Sequence, residues 1–441
     1  MTFEQRFERD LPMILDDIAM GTYPDYIDGV LGTTATRRQR PRWTFPERWL
    51  PMELVTTRVP ATRLPMRQLG VLALIAALLA AAIAVYIGSH QQKLPPAFGP
   101  ASNGDLILSV DGDIIRLDPV TGQSQSIASG PEFDSFAKVS PDGQRIAFFR
   151  RSTEQQTTAS IVVAGIDGSD PRPLTAEPVK RGFDMIAWAP DSRSLLVDTT
   201  ASREIWRYDT QGTKQPELVV SEADAYASPF QPPNGSSILI YRNDGLPHLL
   251  TLDLATSKVT VLADGRTGED FDDVRWSPDG TKVAYHAAPA DDLESQRLFV
   301  IPADGKGQPR QITNAPGTWW DIDETWSPDG KSIAFDRYQQ LDANWLVRPL
   351  AIVDVATGKV REVGPIAHDA RAQLGSPTDS AASAGEGMWF EWSPDGKFLL
   401  AVPTEAPAHP VLIDASSGSW RNLEPLIAPD FVDQAWQRVA P

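Results

Sequence analysis

Cysteine is missing from all 441 residues, and histidine is scarce, with five. The first absence rules out disulfides, thiol nucleophiles and cysteine metal sites, though it leaves the compartment open. The histidines, at positions 90, 248, 286, 368 and 409, are scattered, and no His-Glu-x-x-His pair occurs among them. There is no Gly-x-Ser-x-Gly turn to raise a serine nucleophile. These gaps point away from an enzyme, and nothing in the sequence calls for a cofactor or a metal. Basic charge is short too: 40 Lys and Arg stand against 58 Asp and Glu, a net charge of −18. Residues 1–68 hold ten Arg and nine Asp or Glu, so the acidity lies in the remainder. An acidic surface repels phosphate backbones, which excludes nucleic acid as a partner of that part. Turn formers are abundant, with 38 Pro and 31 Gly, in a chain whose 41% hydrophobic content is that of a globular protein.

The chain is organised by a repeat. Trp-Ser-Pro-Asp-Gly occurs unchanged at 276–280, 326–330 and 392–396. Looser copies are Val-Ser-Pro-Asp-Gly at 139–143, Trp-Ala-Pro-Asp-Ser at 188–192 and the one-residue-longer Phe-Gln-Pro-Pro-Asn-Gly at 230–235. Each precedes an apolar strand, such as Ile146-Ala147-Phe148 or Ile333-Ala334-Phe335. Self-similarity at this period, in strand-rich sequence, predicts an all-β propeller of four-stranded blades, with strands A to D running from the axis outward. Asp-Gly marks the A–B hairpin, because glycine accepts positive φ at no steric cost. A C–D turn recurs seven times, at Thr121-Gly122, Asp167-Gly168, Gln211-Gly212, Thr256-Ser257, Asp304-Gly305, Thr357-Gly358 and Ser417-Gly418. That is one more than the A–B turns. The first unit has strands B, C and D but no A, and the C-terminal stretch 431–438 reads as a strand A ending near Trp436. Its return would complete blade 1 and leave no open sheet edge. The expectation is seven blades over 104–441, or six if the unit near Phe230 is not a blade.

Upstream the reading changes. In residues 1–36, Phe3, Phe7, Leu11, Ile14 and Ile18 form a helical stripe interrupted by Pro12. A second stripe of Tyr26, Ile27, Val30 and Leu31 follows Pro24. This is a small helical module, or a tail that folds on a partner. Residues 37–68 are a basic, proline-rich linker with eight Arg, fit either to lie on anionic lipid or only to set topology. Residues 69–88 carry no charge, and twenty residues of helix rise about 30 Å, the thickness of a bilayer core. The arginine-rich flank puts the N-terminus in the cytosol and the propeller outside it, at the cell membrane. Translation from Met66 would instead make this run a signal peptide. Residues 89–103 are a spacer.

With the repeat in view, residues 104–438 resemble TolB-like, WD-type beta-propeller proteins. More weakly, the module, span and outer domain resemble bacterial membrane regulators with an anti-sigma-like cytosolic segment. The zinc-binding His and Cys of many anti-sigma domains have no counterpart in residues 1–68, so a cytosolic partner of residues 1–36 would meet the helical stripe alone. Prolyl-oligopeptidase-type enzymes pair a propeller with an α/β-hydrolase domain, for which no residues remain here. Sialidase-type Asp boxes are absent as well.

Two sets of residues stand out. Trp188, Trp276, Trp326, Trp392 and Trp436 are expected to pack between blades, while Asp142, Asp191, Asp279, Asp329 and Asp395 shape the A–B turns. The second set lies where strand A begins: Asp134, Asp184, Asp272, Asp273, Asp321 and Asp323, with Asp433 in the closing strand and Trp319, Trp320 and Trp389 beside them. Carboxylates gathered at one mouth of the channel would make a funnel for a cation or an amine. The alternative is that each aspartate bonds to the backbone of the neighbouring blade. The irregular segments 151–158, 287–296, 338–349 and 364–387 open at that same mouth, where loops on a rigid scaffold usually bind. The functional expectation is a non-enzymatic, single-pass membrane protein whose outer propeller binds a protein or small ligand, coupled to a cytosolic regulator. An envelope scaffold is the alternative, and a hydrolase or lyase in the channel is the third reading.

Overall fold

Each A–B turn is a self-contained hydrogen-bonded knot. In the copy at 326–330, the Ser327 hydroxyl donates to Asp329 at 2.7 Å and accepts from the Ser332 amide at 2.9 Å, while Asp329 accepts from the Lys331 amide at 3.1 Å. The same bonds recur around Ser140–Asp142, Ser277–Asp279 and Ser393–Asp395. Gly143, Gly280, Gly330 and Gly396 close these turns at φ between 68° and 71°, a conformation that disfavours any side chain. All seven C–D turns likewise carry a residue at positive φ, Ser257 standing where the others have Gly.

The computed structural model describes residues 74–79 and 94–440, except 155, 176–178, 181–185, 200–203, 222–224, 229–234, 244–245, 266–270, 272–273, 290–291, 293, 315–317, 342–343, 348–349, 365–387, 404–410 and 424–430. Two compact units divide the chain at residue 91. In the first, residues 74–79 are helical. Among the described residues no helix is long and apolar enough to cross a membrane. The expected module, basic linker and most of the expected span lie outside the described residues.

The second unit is a seven-bladed, all-β propeller. Its strands form seven antiparallel sheets, and the weak repeat at 230–235 is a true blade, with strands Ala225–Ser228, Ser237–Asn243, Pro247–Asp253 and Val259–Asp264. The ring closes as expected: Phe431–Val439 pairs with Ser102–Val110, setting Trp436 opposite Leu106. Strand B of blade 1 thus begins at Ser102, inside the expected spacer. The segment 338–349 departs from expectation. It is not an irregular loop; strand B of blade 6 runs on to Leu341 and pairs with Asn344–Val347 as an added hairpin.

The apolar residues of these strands do not meet at the axis. They collect into seven clusters, one between each pair of neighbouring blades, such as Leu106, Leu108, Leu400 and Leu412 across the closing seam. The repeated tryptophans stitch these seams with polar bonds. The indole N–H of Trp188 donates to the Lys138 carbonyl, that of Trp326 to Arg275 and that of Trp392 to Thr325, at 2.9, 3.1 and 3.2 Å. In each case the acceptor belongs to the preceding blade, one residue before the position equivalent to the tryptophan. Repetition of the motif therefore repeats both the turn and the seam.

Candidate functional site

At the mouth where strands A begin, the expected aspartates divide. In blade 2 (Phe133–Val139 and Arg145–Arg151), Asp134 is 1% exposed and takes both ends of a guanidinium, Arg150 Nε at 2.8 Å and Nη2 at 2.7 Å. In blade 6 (Trp319–Trp326 and Ser332–Leu341), Asp321 is fully buried and takes Arg337 in the same way, at 2.6 and 2.9 Å. Aspartate and arginine stand 16 residues apart in both hairpins. The guanidinium of Arg337 also lies 5.2 Å from the Trp319 ring centre and 5.1 Å from that of Phe335. Hydrogen bonding to Asp134 is the main reason the Arg150 pKa is raised above its ordinary value. These two carboxylates are neutralised within their own hairpins, and a cation in the channel would have to displace an arginine.

A bulge in strand A accompanies each clamp. Register slips between Ser135 and Lys138 and between Ile322 and Thr325, with Phe136 at φ 56° and Asp323 at φ 57°. Bulges re-aim neighbouring side chains and cluster near functional rims. Asp tolerates the left-handed region by local hydrogen bonding, whereas a buried Phe does so at a cost of about 1–2 kcal/mol. Asp323 itself is exposed. Asp433 lies in the closing strand opposite Ser109, and Trp389 lies in strand A of blade 7, Met388–Trp392. Asp184, Asp272 and Asp273 lie outside the described residues. Among the described residues no group of three or more His, Asp or Glu side chains is placed to hold a metal ion.

Between blades 5 and 6 the rim is built up. The connection preceding Arg297–Pro302 is sewn to the start of blade 6: the Gln296 amide donates to the Trp319 carbonyl at 2.9 Å, and the Trp320 indole donates to the Glu294 carbonyl at 3.0 Å. Buried Arg297 donates to the carbonyls of Gln296 and Trp319 at 2.9 and 2.5 Å, with Asp292 at 3.6 Å. The result is a fixed, half-buried pair of tryptophans on a shelf held by arginine. The sequence reading picked out the tryptophans and missed Arg150, Arg297 and Arg337. The two clamps had a signal, since aspartate and arginine sit symmetrically about an Asp-Gly hairpin in both blades.

The opposite mouth holds a cavity of about 190 Å³. It is lined by the ends of strands A of blades 1, 2 and 7 and by turn prolines: Lys138, Glu391, Trp392, Trp436 and Arg438 beside Pro328 and Pro394. The segment leading into the propeller is fastened there. The Ala101 amide donates to the Pro394 carbonyl at 2.9 Å, and Arg438 donates to the Pro96 carbonyl at 3.1 Å and to that of Gly99.

Closed blades, short locked turns at one mouth and built-up loops at the other define a beta-propeller whose rims are chemically distinct. Comparison with solved structures agrees on the fold. TolB from Acinetobacter baumannii is 22% identical over 67% of this chain, with a TM-score of 0.47; this chain spans 66% of that protein's length, a little under two thirds. Oligogalacturonate lyase from Vibrio parahaemolyticus is 12% identical over 73% of this chain and 84% of its own, with a TM-score of 0.51. A prolyl endopeptidase is 14% identical over 74% of this chain and 50% of its own, with a TM-score of 0.50. TolB proteins are thus among the structural neighbours, as the repeat implied, and likeness at such identities speaks to the fold alone. No protein-family model matches the sequence, and neither does any curated protein.

Proposed function

We propose that this chain is a non-enzymatic binding protein, held at the membrane by residues 69–88, whose propeller recognises a protein or small ligand at its loop-rich mouth. The observation that carries the reading is the contrast between the rims. One is made of short turns knotted by Ser–Asp bonds and carries the leading segment. The other presents Trp319 and Trp320 on a shelf fixed by Arg297 and Arg337. Rigid aromatics beside buried arginine are what binding hot spots are made of. The uncharged run at 69–88 and its arginine-rich flank support the membrane anchor and the outward-facing propeller. Residues 1–36 would then meet a cytosolic regulator through their helical stripe.

The test is site-specific photocrosslinking of the full chain in cells. A crosslinking residue at Thr153 or Glu294, on the loop-rich rim, is expected to trap a partner that one at Thr281 or Lys331, on the turns, does not. Equal trapping from both rims, or none from the first, overturns the reading. A chain lacking residues 1–36 should keep that adduct and lose any cytosolic one. A stable multiprotein adduct with no cytosolic component would favour the envelope scaffold instead.

A further inference from the structure

The seam between blades 5 and 6 holds a buried polar pair that neither the turns nor the clamps explain. His286, in strand B of blade 5 (Lys282–Ala287), sets its Nδ1 3.0 Å from Glu324 Oε2 in strand A of blade 6. The Glu324 side chain is 0% exposed and that of His286 12%. The bulge puts the carboxylate there. Asp321 and Glu324 stand three positions apart, which in a regular strand would send them to opposite faces. The register slip between Ile322 and Thr325 turns both towards blade 5. Asp321 then holds Arg337 over Phe335, which packs in one core with Leu298 and Val300 of blade 5, and Glu324 meets His286.

The second oxygen of Glu324, Oε1, has no hydrogen-bond partner and no surface that water or a ligand could touch. A buried carboxylate so placed is costly unless a counter-charge stands beside it. The cations packed around it are engaged elsewhere. Arg337 is held by both oxygens of Asp321. Arg297, in strand C of blade 5, is held by the Gln296 and Trp319 carbonyls, with Asp292 at 3.6 Å. Arg275, opposite Ala284 in strand A of blade 5, donates to the Val274 carbonyl at 3.5 Å. Of the other titratable groups nearby, Asp323 is exposed, and Asp336 and Tyr338 alternate with Ala334, which packs towards blade 7. Among the described residues only His286 bonds Glu324.

We propose that one proton, held between His286 and Glu324 in the folded chain at neutral pH, locks blade 5 to blade 6, and that the strand carrying Trp319 and Trp320 loosens when a rise in pH removes it. The sign follows from the proton count. Free histidine gives up its proton near about pH 6.5. Below that, folded and unfolded chains both carry the proton, and the pair contributes its full stability. Above it, the unfolded chain has lost a proton that the folded chain keeps, so the unfolding constant rises by up to about tenfold per pH unit until the pair too lets go. What remains is a buried carboxylate without a counter-charge, in the same strand as both tryptophans. The lock belongs to the seam and does not require the mouth to bind anything, so it stands or falls independently of the function proposed above.

The test is urea unfolding of the full-length chain at pH 6.5 and pH 8.5. Glu324→Gln keeps the shape and an acceptor but removes the charge that retains the proton, and His286→Gln keeps a donor that cannot titrate. Over that interval the unfolding constant of the parent is expected to rise at least about tenfold more than that of either variant. His248→Gln, whose partner Asp264 is largely exposed, should follow the parent. Hydrogen exchange places the effect: corrected for the intrinsic dependence of exchange on pH, peptides over 319–326 should lose protection at pH 8.5 in the parent and keep it in Glu324→Gln, while those over 133–139 in blade 2 stay unchanged in both. If Glu324→Gln fails to fold, His286→Gln carries the comparison. A rise in the variants within twofold of the parent's, or protection lost equally from both segments, would overturn the proposal.

Discussion

Replacing Asp321 by Asn removes one charge and almost no volume, and the structure allows its cost to be worked out. Asp321 is fully buried and Arg337 is 7% exposed, joined by two charge-assisted hydrogen bonds of 2.6 and 2.9 Å. The amide of the variant would still offer one acceptor, but the guanidinium would be left without its counter-charge, sandwiched against Trp319 and Phe335. Removing one partner of a buried ion pair costs about 3–5 kcal/mol. A unit spanning residues 92–441 unfolds with an entropy near 0.7 kcal/mol/K, so the Tm should fall by about 4–7 °C. Asp134→Asn is the internal control. Its partner Arg150 is 30% exposed, so water can take over, and about 1–2 kcal/mol is expected. Replacing the pair together, Asp321→Leu with Arg337→Met, should recover most of the loss, because neither charge is then stranded. The assay is thermal unfolding followed by circular dichroism at pH 7, with and without 10 mM calcium. An Asp321→Asn shift within 1 °C would refute the clamp. So would equal costs at Asp134 and Asp321, or a calcium-induced rise in Tm present in the parent and lost in Asp321→Asn. The last result would restore Asp321 to a cation funnel.

Trp326→Phe and Trp392→Phe should each destabilise by about 1–2 kcal/mol, since each removes an inter-blade hydrogen bond, whereas Trp436→Phe should cost less because its indole has no acceptor; urea unfolding of the three variants orders them. Deleting residues 431–441 removes strand A of blade 1 and bares buried Leu106 and Ile107, so the truncated chain should lose its cooperative melt rather than shift it. Stability should fall in acid. Hydroxyl hydrogen bonds from Thr121, Thr256 and Thr357 lower the pKa of turn residues Asp118, Asp253 and Asp354, and the hydroxyl of Ser416, with nearby backbone amides, lowers that of Asp414 from 3.8 to about 2. A depressed folded-state pKa contributes stability that is present above 3.8 and lost as pH falls towards about 2; these carboxylates are exposed, so melts between pH 5 and pH 2 should decline modestly over that window, and a flat profile would contradict it.

The fold was legible because one motif does two jobs. Trp-Ser-Pro-Asp-Gly both closes the A–B turn and bonds across the seam to the preceding blade, so counting copies counted blades. Counting the C–D turns against them found the closing strand before Trp436 was seen opposite Leu106. The site was less legible, for reasons of register. Read linearly, Asp134 and Asp321 are acidic residues at a mouth. Their arginines lie 16 positions on, and the extra residue of a bulge in each strand A is needed to set the pairs face to face. Sequence periodicity does not reveal a bulge, and Phe136 at positive φ is the reverse of what residue preference suggests.

The irregularities also explain where a site can fall. A ring of near-identical blades has near-identical seams, and identical seams give a ligand nothing to distinguish. Chemistry has to enter where the repeat is broken. At the loop-rich rim the break is the pair of bulges that turns aspartate onto arginine, with the sewn connection that fixes Trp319 and Trp320 in blade 6 alone among the described residues. At the short-turn rim the break is topological. Blade 1 is assembled from both ends of the propeller's sequence: its strand A, Phe431–Val439, follows the last strand D but is joined by no hairpin to its strand B, Ser102–Val110, and Arg438 holds the leading segment at Pro96 and Gly99. Of the tryptophans whose acceptors fall among the described residues, Trp436, the one with no partner, belongs to the strand with the most unusual connection. The closing seam is topologically and geometrically special, and it occurs once per molecule, whereas the seams built from the motif recur.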